Sequence, residues 1–208
     1  MLNIHALKLS QTSICLLAEI DRFQGRWEAL EAHTTQLHML GDVATHGKEL
    51  RMLFEAFREF PLGADMALKL NKALSRGAGG IRSDVQALDI TDGDHSIGTL
   101  DTAAPEDIPA LFEKLMAWLA ASLDDPGLHP LPVIAVFAGV FYQIAPFAAE
   151  NAKTLRQLIT LLMFRRGYTY APYALLEDPK GADAAQLLAA LSKLKTGIEE
   201  GRPDWPAW

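Results

Sequence analysis

The chain of 208 residues holds one cysteine, Cys15. An intramolecular disulfide is therefore excluded, and because Cys15 lies in the apolar run SICLLA (13–18), a buried, chemically quiet thiol is expected. Positive charge is also scarce: 19 Lys and Arg stand against 26 Asp and Glu, a net charge of -7. Only KTLR (153–156) and FRRGY (164–168) are locally basic, so there is no cationic face of the kind a nucleic acid needs. A small anion fits these short clusters better.

Charge of either sign is missing altogether between Asp125 and Glu150, where no Asp, Glu, Lys or Arg occurs. On hydropathy alone that stretch resembles a membrane span. Pro130, Pro132 and Pro146, however, limit an unbroken helix to 133–144, about 18 Å long at ~1.5 Å per residue, where a span needs about 30 Å. A buried central helix is expected instead, with no membrane partner. The N-terminal apolar run soon meets Glu19, Asp21 and Arg22 without a cleavage site, so no signal peptide is expected and the reading is cytoplasmic. With 50% hydrophobic and 22% charged residues and no low-complexity tract, the composition is that of an ordinary globular protein.

What is present is mostly helical periodicity. Ile14, Leu17, Ile20, Phe23, Trp27 and Leu30 form one stripe, and Leu37, Leu40, Val43, Leu50, Leu53, Phe54 and Phe57 form another, together suggesting a helical hairpin over 13–60. Pro61 and Gly63 break the chain, a short helix is expected over 64–74, and RGAGG (76–80) ends it. Residues 81–102 scatter Val85, Ile90, Ile97 and Leu100 around a DGD turn, the pattern of a small hairpin. Pro105, Glu106 and Asp107 open a helix with the stripe Ile108, Leu111, Phe112, Leu115, Trp118 and Leu119. The buried helix (133–144), a helix to Arg166 and a last one over 182–199 follow, before the tail GRPDWPAW. The residues alone thus give one mostly α-helical domain with a β-like flap. Trp205 and Trp208 in the tail either pack on the protein's own core or mark an association surface.

The collinear order GGIR, flap, PEDIPALFEKLMAWL, HPLPVIAVFAGVFYQIAPF, ENAKTLRQLITLLMFRRGY closely resembles the Fic (filamentation induced by cAMP) and Doc family, whose members typically transfer AMP from ATP to a target hydroxyl. The resemblance covers 79–168 and implies a mainly α, Fic-like helical core with a small β-hairpin flap. It divides the chain into an N-terminal helical segment (1–60) and a Fic-like domain (61–208), read together as one compact unit. The family motif H-P-F-x-D/E-G-N-G-R-x-x-R here reads APFAAENAKTLR from Ala145 to Arg156.

Pro146, Phe147, Asn151 and Arg156 keep that frame, but the groups carrying the chemistry are replaced. The family's histidine is a general base, and Ala145 in its place can accept no proton. The other histidines nearby, His95 and His129, match flap and helix-entry positions. The family's metal-holding acid falls at Ala149, leaving Glu150, one position later, as the candidate metal ligand for Mg²⁺. Glu150 and Ala152 also occupy the places of glycines that let phosphates approach the N–H groups of a helix N-terminus. Lys153 keeps the charge of the first arginine without its fork, and Arg156 keeps the second.

By resemblance, Phe147, Asn151, Lys153 and Arg156 are the candidate cofactor-binding residues, for ATP with Mg²⁺, another nucleotide, a small anion, or no cofactor. Loop bracing is the other reading of the two cations. Thr45-His46-Gly47-Lys48-Glu49-Leu50 is the closest match to the family's inhibitory helix, with Glu49 as candidate partner of Arg156 and an exposed helix carboxylate as the alternative. Gly80-Ile81-Arg82 resembles the family's entry into the flap, and residues 84–100 are either a dock for an extended peptide of a protein partner or a plain surface hairpin. Three functions follow: a degenerate Fic protein impaired as an AMP transferase with a binding or regulatory role, a divergent nucleotidyltransferase, or a helical scaffold that forms homo-oligomers.

Overall fold

The computed structural model describes residues 4, 7–31, 55, 61–77, 79–174, 180–201, 203 and 205. Among them are six α-helices and one hairpin: α1 (Gln11–Glu31), α2 (Ala64–Leu74), β1 (Ala87–Asp92), β2 (His95–Asp101), α3 (Ile108–Asp124), α4 (Pro130–Ile144), α5 (Asn151–Arg165) and α6 (Ala182–Glu199). The fold is a mainly helical core carrying a small antiparallel hairpin, as the sequence pattern implied. No described helix is long and apolar enough to cross a membrane. The chain resolves into two compact units, one of 1–8, 62–156 and 177–208, the other of 9–61 and 157–176.

The first unit is built on α3 and α4. Ile108, Phe112, Leu115, Met116 and Leu119 of α3 are buried, as are Val133, Ile134, Val136, Phe137 and Phe141 of α4. The charge-free sequence of α4 is thus that of a helix covered on most sides. It begins at Pro130, earlier than expected, because prolines are tolerated in a first turn where N–H groups have no intrahelical acceptor. His129 caps it, its Nδ1 accepting from Leu131 N at 3.3 Å.

The hairpin turns at Gly93 (φ 60) and pairs Ala87 with Asp101 through Asp92 with His95. Between the pairs Ile90–Gly98 and Thr91–Ser96 the register shifts, leaving Ile97 as the extra residue of a bulge. Ile90 and Leu100 are buried against Ala184 and Leu191 of α6, with Leu88, Tyr142, Leu187 and Leu188 around them. At Gly98 a Cβ would lie 2.6 Å from Leu188 Cδ2, so any larger residue would displace the Leu188 side chain. The flap is therefore seated on α6 by an apolar patch of its own.

In the second unit, Ser10 Oγ accepts from Ser13 N at 3.0 Å and starts α1. Tyr168 donates its hydroxyl to Asp21 Oδ1 at 2.9 Å, and Tyr170 meets Phe23 edge to face with ring centroids 4.9 Å apart. The half-buried stripe of α1 is Ser13, Leu17, Ile20, Gln24 and Trp27, whereas Ile14, Phe23 and Leu30 are exposed. That corrects two expectations. The helix turns its apolar residues to more than one side, and Cys15, off the covered stripe, is exposed rather than buried. The second helix expected over 36–57 lies outside the described residues except for Glu55, as does Trp208, while Trp205 is half-buried.

Candidate functional site

The loop 145–150 joins α4 to α5, and four contacts within the first unit fix its path. Ala145 ends α4 in the left-handed region (φ 44, ψ 67), its N–H donating to Phe141 O at 2.8 Å. Pro146 cannot continue the helix. The segment Gly80–Arg82 then pairs with Pro146–Ala148: Arg82 N donates to Pro146 O at 3.0 Å and Ala148 N to Gly80 O at 2.9 Å, around the bridge Ile81–Phe147. The entry of the flap and the loop are zipped together.

Arg82 adds a second fastening. Its side chain, 2% exposed, donates to Ala145 O at 2.8 Å, Ile144 O at 3.1 Å, Ala103 O at 2.6 Å, Asp84 O at 2.5 Å and Thr102 Oγ1 at 2.7 Å. Burial lowers its pKa and the Asp84 carboxylate works against that shift. With every acceptor a neutral oxygen, the guanidinium satisfies carbonyls at the base of the flap and at the end of α4. The expected flap residue is thus a staple between flap and loop.

Phe147 is fully buried, 5.5 Å from Phe112 and 6.0 Å from Phe141 between ring centroids, and anchors the loop to the core. Asn151 closes the loop on itself. Its Oδ1 accepts from Phe147 N at 2.9 Å and its Nδ2 donates to Phe147 O at 2.6 Å, so both ends of the amide brace the turn.

Glu150 has φ 60, a left-handed conformation that costs a non-glycine residue about 1–2 kcal/mol. A backbone of the kind that glycine adopts most readily thus carries a carboxylate, which is exposed. Thr154 N donates to Glu150 O at 2.8 Å and begins the α5 ladder. The N–H groups of Glu150, Asn151, Ala152 and Lys153 bond to no other described residue. Lys153 is exposed and Arg156 half-buried one turn on, on the same side of the helix. Burial pushes the Tyr142 phenol up, and the charge of Arg156 opposes it.

Sequence reading overlooked Asn71 and Thr154, each 0% exposed. Asn71 Nδ2 donates to Ala149 O at 2.9 Å and to Thr154 Oγ1 at 3.0 Å. The only sequence signal was a polar residue on the buried stripe Met66, Ala67, Leu70 of α2. Gly79 faces it: a Cβ there would sit 2.0 Å from Asn71 Oδ1. Glu49 lies outside the described residues. His95 stands at the hairpin tip and His129 at the α4 cap, neither in the loop.

The site combines free helix N–H groups with two cations, which suits an anion, and offers no proton acceptor at Ala145, 3% exposed. Mg²⁺, which the resemblance implies, is served poorly. Ala149 has a methyl side chain and its carbonyl is turned to Asn71, Glu150 is the single carboxylate of the loop, and no group of three His, Cys, Asp or Glu suited to a metal occurs among the described residues. These residues do not fit a protein-held magnesium.

No family model matches the chain, and no curated protein does. Among solved structures, it is similar to a Fic family protein from Desulfovibrio desulfuricans G20 at 16% identity and TM-score 0.60, over 97% of this chain and 71% of that one. It is also similar to a Fic domain containing signaling protein from Bacteroides thetaiotaomicron VPI-5482 at 19% identity and TM-score 0.53, over 74% of this chain. The chain spans 55% of the length of the latter. The likeness is one of fold, a mainly helical core carrying a small hairpin.

Proposed function

We propose that this protein is a Fic-fold chain impaired as an AMP transferase that acts by binding or regulation, holding ATP or a small phosphate anion at the start of α5. The observation that carries the reading is Ala145. By the resemblance it stands where the family has its base; it is buried at the end of α4 with a left-handed backbone, and its methyl group can accept no proton. Lys153 and Arg156, with the N–H groups of the α5 N-terminus, supply the attraction for phosphate, and the Glu150 carboxylate weakens it. Magnesium accompanies the nucleotide rather than belonging to the loop. A protein partner would pair along the hairpin, whose entry is fastened to the same loop through Arg82.

The test is incubation of the full chain with ATP labelled on the α-phosphate, with and without Mg²⁺, in the presence of lysate proteins. The reading expects no covalent label, together with a rise in melting temperature on adding ATP that Arg156→Ala abolishes. Label transferred to itself or to another protein, and lost in Arg156→Ala, would overturn the impaired reading in favour of a divergent nucleotidyltransferase.

A further inference from the structure

The peptide between Ala149 and Glu150 has two faces, and one of them is held. Asn71, completely buried on α2, reaches the loop with its Nδ2 and takes the carbonyl of Ala149 at 2.9 Å. No peptide in the described chain is cis, so carbonyl and N–H of this unit point in opposite directions. Turning the Ala149 carbonyl inward turns the Glu150 N–H outward, to the side of α5 where Asn151, Ala152 and Lys153 also present unbonded N–H groups. A left-handed residue followed by a helical one brings successive N–H groups onto one concave surface, an arrangement that attracts anions.

We infer that Asn71 is a positioning residue, which aims the Glu150 N–H at the anion held by the α5 N-terminus. The inference rests on the anion site proposed above and adds the device that orients it. The same amide also donates to Thr154 Oγ1 at 3.0 Å, so one side chain ties the last loop residues to the first turn of α5. Asn71 Oδ1 has no hydrogen-bond partner among the described residues, and the adjoining wall is Gly79, where a Cβ would lie 2.0 Å from that oxygen and 2.4 Å from Ser75 Oγ. The carbonyl end of the amide is therefore held by shape, and the amino end is left for the loop. Glycine at 79 is what allows Asn71 to stand there.

The experiment uses the full chain labelled with ¹³C and ¹⁵N, titrated with sodium pyrophosphate, as wild type, Asn71→Leu and Gly79→Ala. Leucine keeps the volume and deletes the donor. Alanine at 79 displaces the Asn71 amide without altering it, and serves if Asn71→Leu fails to fold. In the wild type, pyrophosphate shifts the Glu150 and Asn151 amides. In the variants the Ala149 carbonyl ¹³C resonance moves as it loses its donor, the Glu150 response disappears, and the dissociation constant rises about tenfold, equivalent to about 1.4 kcal/mol. The Ile90 and Leu100 resonances of the hairpin stay in place. An Ala149 carbonyl unchanged in both variants, or unchanged pyrophosphate affinity beside a displaced carbonyl, overturns the inference. A wild type indifferent to pyrophosphate removes the anion and the function proposed above, and the Ala149 carbonyl then reads whether Asn71 sets the peptide.

Discussion

Arg82 Nε donates to the carbonyl of Ala145 at 2.8 Å, and so ties the residue that ends α4 to the entry of the flap. The backbone corner is thereby fixed by carbonyl acceptors and a buried cation, whatever side chain stands on it.

Removing Arg82 should be costly. Arg82→Ala leaves the acceptors on Ala145, Ile144, Ala103, Asp84 and Thr102 without their donor; those on Ile144 and Ala145 are buried, and an unsatisfied buried group costs about 1–3 kcal/mol. Some of them will find water, so the expected loss is about 3 kcal/mol or more, read from urea denaturation. Arg82→Lys, with a single ammonium, should recover less than half of it.

Glu150→Gly should leave stability nearly unchanged while it strengthens anion binding. It relieves about 1–2 kcal/mol of left-handed strain, gives back about 0.4–1 kcal/mol through the freer unfolded chain and loses about 0.3–1 kcal/mol of carboxylate stabilisation at the helix N-terminus, terms that nearly cancel in denaturant midpoint experiments. The same change removes a carboxylate from the helix start, so ATP affinity should rise. A variant destabilised by more than about 1 kcal/mol would show that the Glu150 backbone is not strained.

Gly98→Ala should loosen the hairpin. The new methyl group would meet Leu188 Cδ2 at 2.6 Å, and forced packing of this kind costs about 1–3 kcal/mol. Amide exchange at Ile90 and Leu100 should accelerate, with exchange in α3 little altered.

The second unit should weaken in alkali. Burial first, then the bond and charge of Asp21, push the Tyr168 phenol well above its ordinary value, so the folded form holds the proton more tightly than the unfolded form. A raised pKa contributes stability that is complete below the unfolded value of about 10 and is lost as pH climbs toward the folded one. Stability should therefore fall above about pH 10, and Tyr168→Phe should reduce that slope without abolishing it, because Tyr170 is raised too.

Much of this fold was legible because its punctuation is strong. Gly63 before α2, the DGD turn of the hairpin and Pro105 before α3 all fall where the chain changes direction. Burial was less legible. Ile14, Phe23 and Leu30 have the right spacing for one stripe, yet they are exposed, since periodicity reports residue type and not what covers it. At the loop, the break between α4 and α5 could be read from Pro146, whereas the bracing could not. Asn71 reaches Ala149 across 78 positions, and Arg82 reaches Ala145 across 63, contacts that only the folded chain brings together.

Calorimetric titration of the full chain with ATP in the presence of a chelator, beside Arg156→Ala, tests the account most directly. The account predicts saturable binding by the wild type without added metal, and an affinity at least about tenfold lower in the variant. No binding by the wild type, or equal binding by both proteins, would contradict it.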